Sequence, residues 1–207
     1  MTAIIATDFK HGNNLHVGEF VIIETGVTVG DNVKIGHRVT LKSGTRIGNH
    51  SIIDDHCITT GACIIGNHVN IRTGAIISKA TIIEDYCFIG PGIITNHTKH
   101  VNHGRSDKIP DVQLITYIGY GAILGSQASI LAGVVIGPQV IIGGGTVVVK
   151  DILERGVYVG CPATKISDIS HDYLIREPEN AGRMYRSPEI LMHLKAYIPY
   201  LKLTEPS

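Results

Sequence analysis

VGEFVIIETGVTVGDNVKIGHRVTLKSGTRIGNHSIIDDHCITTGACIIGNHVNIRTGAIISKATIIEDYCFIGPGII, residues 17–94, divides without remainder into thirteen hexapeptides that open on one kind of residue. Twelve openers are aliphatic: Val17, Ile23, Val29, Ile35, Leu41, Ile47, Ile53, Ile65, Ile71, Ile77, Ile83 and Ile89; only Thr59 breaks the series. The second position is Gly six times, at Gly18, Gly30, Gly36, Gly48, Gly66 and Gly90. The fifth is small or β-branched, as at Val21, Thr45, Cys57, Cys63 and Ala75. A period of six fits neither an amphipathic helix nor a simple alternating strand. It fits a β-solenoid, whose short units cannot bury an apolar side alone and must stack on their neighbours.

The aliphatic-Gly-x-x-small-x repeat resembles that of the hexapeptide acyltransferase superfamily. The resemblance implies an all-β fold, the left-handed parallel β-helix, in which three hexads make one triangular coil and residues eighteen apart stack. Parallel crossovers are otherwise right-handed in about 98% of cases, so the hand comes from the family alone. The third and fourth positions carry Asp31-Asn32, Ser43-Gly44, Asn49-His50, Asn67-His68 and Pro91-Gly92, turn residues suited to the corners of a triangle.

With 207 residues and 43% hydrophobic content, the chain can bury one core, and no linker divides it. Eighteen basic residues match eighteen acidic ones. That balance argues against nucleic acid or an anionic membrane as the main partner. The sequence shows no signal segment and no membrane-length apolar run, so a cytoplasmic location is expected. Cys57, Cys63 and Cys87 fall at fifth positions, as buried structural thiols rather than a disulfide framework.

The β-helix domain is expected over residues 1–153. Residues 1–16 keep the repeat poorly, with His11 in an aliphatic place, and are expected to cap the entry. After Ile94 the repeat stops. It resumes at Ile118 out of phase and continues through Leu124, Ile130, Ile136, Ile142 and Val148. Residues 95–117, TNHTKHVNHGRSDKIPDVQLITY, must therefore leave the coil as an excursion, which carries His97, His100, His103, Arg105, Asp107 and Lys108. A long polar loop on a rigid scaffold is a favoured place for function. Residues 154–207 form a tail. Its Ser187-Pro188-Glu189 predicts a helix start, with Ile190, Leu191, Leu194 and Ile198 on one face that packs on the β-helix or a neighbouring subunit.

GPGIITNHTKH, ILGSQASILAGVVIG, IIGGGTVVVKD and VGCPATKI occur in the order seen in hexapeptide acetyltransferases. The resemblance implies acetyl-CoA as cosubstrate, a sugar or nucleotide-linked sugar as acceptor, and a homotrimer with active sites between prisms. It also implies a loop histidine as general base, for which a pKa near 6.5 suits imidazole. His97, just after the first block, matches best, with His100 next and His103 as a residue of the acceptor site. Glu84 and Asp85 are weak carboxylate candidates, and Asn70 is an acceptor-side candidate by analogy. On the donor side stand Gly125, Ser126, Gly143, Gly144 and Gly145, small residues past which a pantetheine arm could run. Lys150 and Lys165 match positions near the coenzyme's phosphates. Val149 and Cys161 depart from the usual family residues and weaken individual assignments there.

Gamma class carbonic anhydrases share the fold and bind zinc through three histidines. Neither His50, His56 and His68 nor His37 reproduces their spacing, so no metal is expected. A metal-dependent hydratase and a noncatalytic scaffold stay as alternatives.

Overall fold

The computed structural model describes residues 3–101, 103–104, 112–179, 181–182, 184, 187–198 and 200–202. Nearly every hexad opener closes a two-residue strand, as in Thr28–Val29, Lys34–Ile35 and Thr40–Leu41. Thr28 pairs with Arg46 and Val29 with Ile47 in parallel, eighteen residues on. Every third strand joins the same sheet, giving three faces of eight, seven and nine strands. The fold is a parallel β-helix of about eight turns, matching the left-handed class. Its first face runs from Ile4–Ile5 to Val147–Val148, its second from Lys10–His11 to Val135–Ile136. The third runs from His16–Val17 through Val157–Val159 and ends on antiparallel Thr164–Ser167.

The openers fill the prism: Ile35, Leu41, Ile71, Ile83, Leu124 and Ile136 are all buried. Each such side chain contributes about 1.5–3 kcal/mol. Thr59 is buried in the same way, and its exception has a physical reason. Its hydroxyl lies 2.9 Å from that of Thr45 and accepts the Lys42 amide at 2.9 Å, so it satisfies polar groups that a tight corner leaves inside. Thr95 repeats the device with Thr81 and the Ser78 amide. The thiols of Cys57, Cys63 and Cys87 are buried, with Sγ 3.1–3.2 Å from the carbonyls of Arg72, Ser78 and Gly119. Burial pushes Cys57 up to about 11 and Cys63 up to about 12, which makes them inert packing groups.

At the corner between the second and third faces, Asn14, Asn32, His50, His68 and Tyr86 hold left-handed φ of 53°, 55°, 57°, 54° and 61°. Neighbouring coils compensate the strain. Asp31, Asn49 and Asn67 donate their amides to the side chains of Asn49, Asn67 and Asp85 at 2.7–2.8 Å. The rings of His50 and His68 stack at 4.8 Å, and those of His68 and Tyr86 at 4.7 Å.

Residues expected as an entry cap instead continue the coil: Ile5 pairs opposite Ile23, and His11 opposite Val29. His11 is tolerated because this is the open end, where its ring is exposed to solvent beside Phe9. At the other break, Thr95 is still buried as an opener before the chain leaves. The coil resumes with Thr81 opposite Thr116 and Ile83 opposite Ile118. That offset is 35 residues rather than eighteen, so seventeen extra residues account for the lost phase.

The tail covers part of the second face. Ser187 caps helix α1, Pro188–Tyr197, through its Oγ and the Ile190 amide. Leu194 and Ile198 close an outer cluster with Ile64, Ile82, Tyr117 and Val135, which precede the openers and therefore point outward. Among the described residues, no helix is long and apolar enough to cross a membrane.

Candidate active site at two corners of the prism

The excursion leaves from the corner between the first and second faces. Its outgoing limb is clamped by Asn96, whose amide and Nδ2 both donate to the Ile130 carbonyl at 2.9 and 3.0 Å. The Thr116 hydroxyl donates to the Asn96 carbonyl at 2.8 Å. His97 follows directly. Its own carbonyl accepts the Leu114 amide of the returning limb at 2.8 Å. The residue is half-buried, and burial together with the charge of Lys79 lowers its pKa below the ordinary 6.5, which favours the neutral ring.

Lys79 precedes His97 by eighteen residues at the same corner position, and its stem runs over Gly61 one coil earlier. It was legible from the spacing but masked by its resemblance to an ordinary surface Lys. His100 and His103 are exposed. Arg105, Asp107 and Lys108 lie outside the described residues.

The carboxylates nearest in sequence serve elsewhere. Glu84 is buried and accepts the amides of Tyr120, Gly182 and Met184 at 3.1, 2.8 and 3.2 Å. Asp85 accepts the Asn67 amide at a different corner. Among the described residues, no side chain hydrogen-bonds the His97 ring. Asn70 stands on the third face between Ile52 and Phe88, not at the His97 corner.

Gly125, Ser126, Gly143, Gly144 and Gly145, expected on the donor side, gather at the corner between the third and first faces. A Cβ added to Gly125 would lie 2.5 Å from the Gly144 amide nitrogen, and one on Gly143 would lie 2.6 Å from Val159. Coil packing therefore accounts for those two glycines. Gly144 and Gly145 are exposed, as is Ser126, and a Cβ on Gly145 meets nothing within 4 Å.

The two lysines also separate. Lys165 binds Glu154 and Asp168, each at 2.6 Å, so its charge is matched within the protein. Hydrogen bonds from Lys165 to Asp168 and Glu154 raise its pKa. Lys150 is exposed and, among the described residues, unpaired, but it lies at the His97 corner two coils on.

The stacked rings of His50 and His68 face one another 4.8 Å apart, a geometry in which their nitrogens do not converge on one ion. Among the described residues, no three His, Cys, Asp or Glu side chains form a metal-binding group. Two hollows, of about 680 and 650 Å³, sit at the open end around Ile5, His11, His16 and Val17, away from both corners.

Residues 10–43 match the family model described as bacterial transferase hexapeptide, six repeats. No curated protein sequence matches the chain. The structure of the polySia specific acetyltransferase NeuO is 16% identical, covering 100% of this chain and 95% of that one, with a TM-score of 0.58. A mutant of AntD, an N-acyltransferase from Bacillus cereus in complex with dTDP and coenzyme A, is 18% identical. That match covers 83% of this chain and 94% of AntD, with a TM-score of 0.53. A mutant of GDP-perosamine N-acetyl transferase from Caulobacter crescentus, in complex with CoA and GDP-perosamine, is 22% identical over 81% of this chain, with a TM-score of 0.41. This chain spans 58% of that protein's length. The likenesses to NeuO and AntD show the fold.

Proposed function

We propose that the chain is an acetyl-CoA-dependent acyltransferase that acetylates a hydroxyl or amine of a sugar or nucleotide-linked sugar, with His97 as general base. The observation that carries this reading is a half-buried imidazole at the foot of the excursion, on a peptide whose carbonyl is bonded to the returning limb and whose preceding residue is bonded to the coil. The shared fold supports it, since AntD is seen with coenzyme A and dTDP. A neutral imidazole takes the proton from the acceptor as its oxygen or nitrogen attacks the thioester carbonyl. The C–S bond then breaks, the acetyl group stays on the acceptor, and the imidazolium returns the proton to the coenzyme A thiolate. Exposed Ser126, Gly144 and Gly145 would flank the pantetheine arm, and Lys150, unlike the already paired Lys165, is left to meet phosphates, though from the His97 corner it would reach only a coenzyme in a neighbouring prism's groove.

His97 and the Ser126–Gly144 column lie on opposite edges of the first face, so one prism does not bring them together. That separation favours a homotrimer in which the base of one subunit faces the donor groove of the next. Exposed Ile22, Ile58 and Ile94 give the first face an apolar stripe for such contact. A cytoplasmic location would supply the cosubstrate. The test is an acceptor screen that reads free-thiol release from acetyl-CoA. Release with a sugar or nucleotide-sugar that disappears in His97→Ala supports the reading; equal release from both proteins contradicts it.

A further inference from the structure

The residues after α1 reach back to the excursion. Leu201–Lys202 runs parallel to Gln113–Leu114, with Gln113 opposite Leu201 and Leu114 opposite Lys202. The Gln113 amide donates to the Tyr200 carbonyl at 3.3 Å, and the Leu114 amide donates to the His97 carbonyl at 2.8 Å. Thr98 bridges Gln113 beside them. A short relay of backbone bonds thus joins the end of the tail to the peptide of His97.

The other end of the tail is pinned to the coil. Buried Glu84 holds the amides of Gly182 and Met184, and α1 is seated by Leu194 and Ile198. His193 Nε2 meets the Gly44 carbonyl at 2.7 Å, and the Tyr197 ring lies over Gly44, where a Cβ would come within 2.6 Å of it.

We propose that the C-terminal segment is a strap that sets the position of His97, with Leu201 and Lys202 acting as positioning residues through their backbone pairing to Gln113 and Leu114. The outgoing limb of the excursion is already fixed by Asn96 on Ile130, so the returning limb is what the strap has to hold. Two short strands on their own are marginal in water. Pairing with a segment anchored on the coil removes that weakness. The proposal rests on the catalytic reading only for the importance it gives to His97.

Two truncations, two residues apart, isolate the strap: a chain ending at Lys202 keeps it and one ending at Tyr200 removes it. In the shorter chain, hydrogen exchange at the Leu114 amide is expected to accelerate on the order of tenfold or more. The His97 ring, followed by NMR, should titrate closer to the ordinary histidine range as water reaches it. Exchange at coil amides such as Ile71 and the thermal midpoint should stay near those of the full chain, and the chain ending at Lys202 should match it throughout. Leu201→Asp in the full chain, which drives the strap from the apolar cluster it packs against, should repeat the effect even if the shorter chain does not fold. Unchanged Leu114 exchange and unchanged His97 titration in the strap variants that fold overturn the proposal. Once an acceptor is known, loosening the strap should lower kcat and leave KM for acetyl-CoA in place. Normal turnover in His97→Ala would remove the catalytic reading, while exchange at Leu114 still decides the strap.

Discussion

The two corners that flank the first face are built on the same backbone and filled in opposite ways. At the corner between the first and second faces, Lys79, the foot of the excursion and Tyr197 of the tail close the surface over Gly44 and Gly61. At the corner between the third and first faces, Phe20, Arg38 and His56 give way along the axis to Gly74, Gly92, Gln127 and Gly145. All of these hold φ between 56° and 73°. Since Arg38 and His56 adopt the left-handed turn, that conformation does not itself require glycine here. A Cβ on Gly74 or Gly145 would meet nothing within 4 Å. The left-handed glycines Gly74 and Gly145 therefore mark open space, whereas Gly125 at the same corner, with the next coil 2.5 Å away, marks tight stacking. In the proposed reading, one corner would hold the base in place and the other would leave room for a long thin ligand.

The largest expected effect breaks the first corner. His97→Ala should lower kcat roughly 100 to 10,000-fold, about 2.7–5.5 kcal/mol of barrier, while KM for acetyl-CoA changes little. His100→Ala and His103→Ala are the controls; a large kcat loss confined to His100→Ala would move the base further along the excursion.

Next in size is a test of the coil on which both corners stand. Ile71→Asn should cost about 3–5 kcal/mol in chemical denaturation, since it removes a buried opener and leaves an amide inside. His68→Asn should cost less than about 1 kcal/mol, because Asn32 already holds the same left-handed turn in that column. Equal costs would mean that the register is wrong.

The two kinds of glycine give a smaller and sharper contrast. Gly125→Ala should destabilise by about 1–3 kcal/mol as its Cβ presses on the next coil. A Cβ on Gly144 meets only backbone of Ser126, its carbonyl oxygen at 3.3 Å and its nitrogen at 3.9 Å. In Gly144→Ala stability should barely change, with the loss appearing as a raised KM for acetyl-CoA.

The smallest effect concerns pH. His97 is held below 6.5 by burial first and by Lys79 second, so the acid limb of kcat/KM should lie below that value. Lys79→Met removes a positive neighbour, makes protonation easier and should move the limb upward by a fraction of a pH unit, since burial remains. A downward shift would contradict the sign of the coupling.

Much of this was legible because stacking at eighteen residues makes local pattern and tertiary contact the same thing. The openers, the His50–His68 stack and the Ser187 cap follow from residue spacing and corner chemistry. Thr59 looked like a defect until its hydroxyl was seen to meet Thr45 across a corner. The single out-of-phase restart announced the excursion, and the pairing of Thr81 with Thr116 explains it. What the sequence did not show lacks periodicity. Leu201–Lys202 and Gln113–Leu114 are two-residue strands far apart in the chain, with nothing local to select their partner. Glu84 was considered for catalysis because it is acidic and close in sequence; its bonds to Tyr120, Gly182 and Met184 show it anchoring the tail.

The central claim, that the base from one prism and the donor groove from another make one active centre, is tested most directly by mixing two crippled chains. His97→Ala keeps the groove and Gly144→Leu keeps the base. Co-expressed in equal amounts in a randomly assembled ring, they should recover about one quarter of the normal activity, because one site in four pairs an intact base with an intact groove. If the mixed protein is no more active than either variant alone although the subunits have exchanged, base and groove belong to the same prism and the account is wrong.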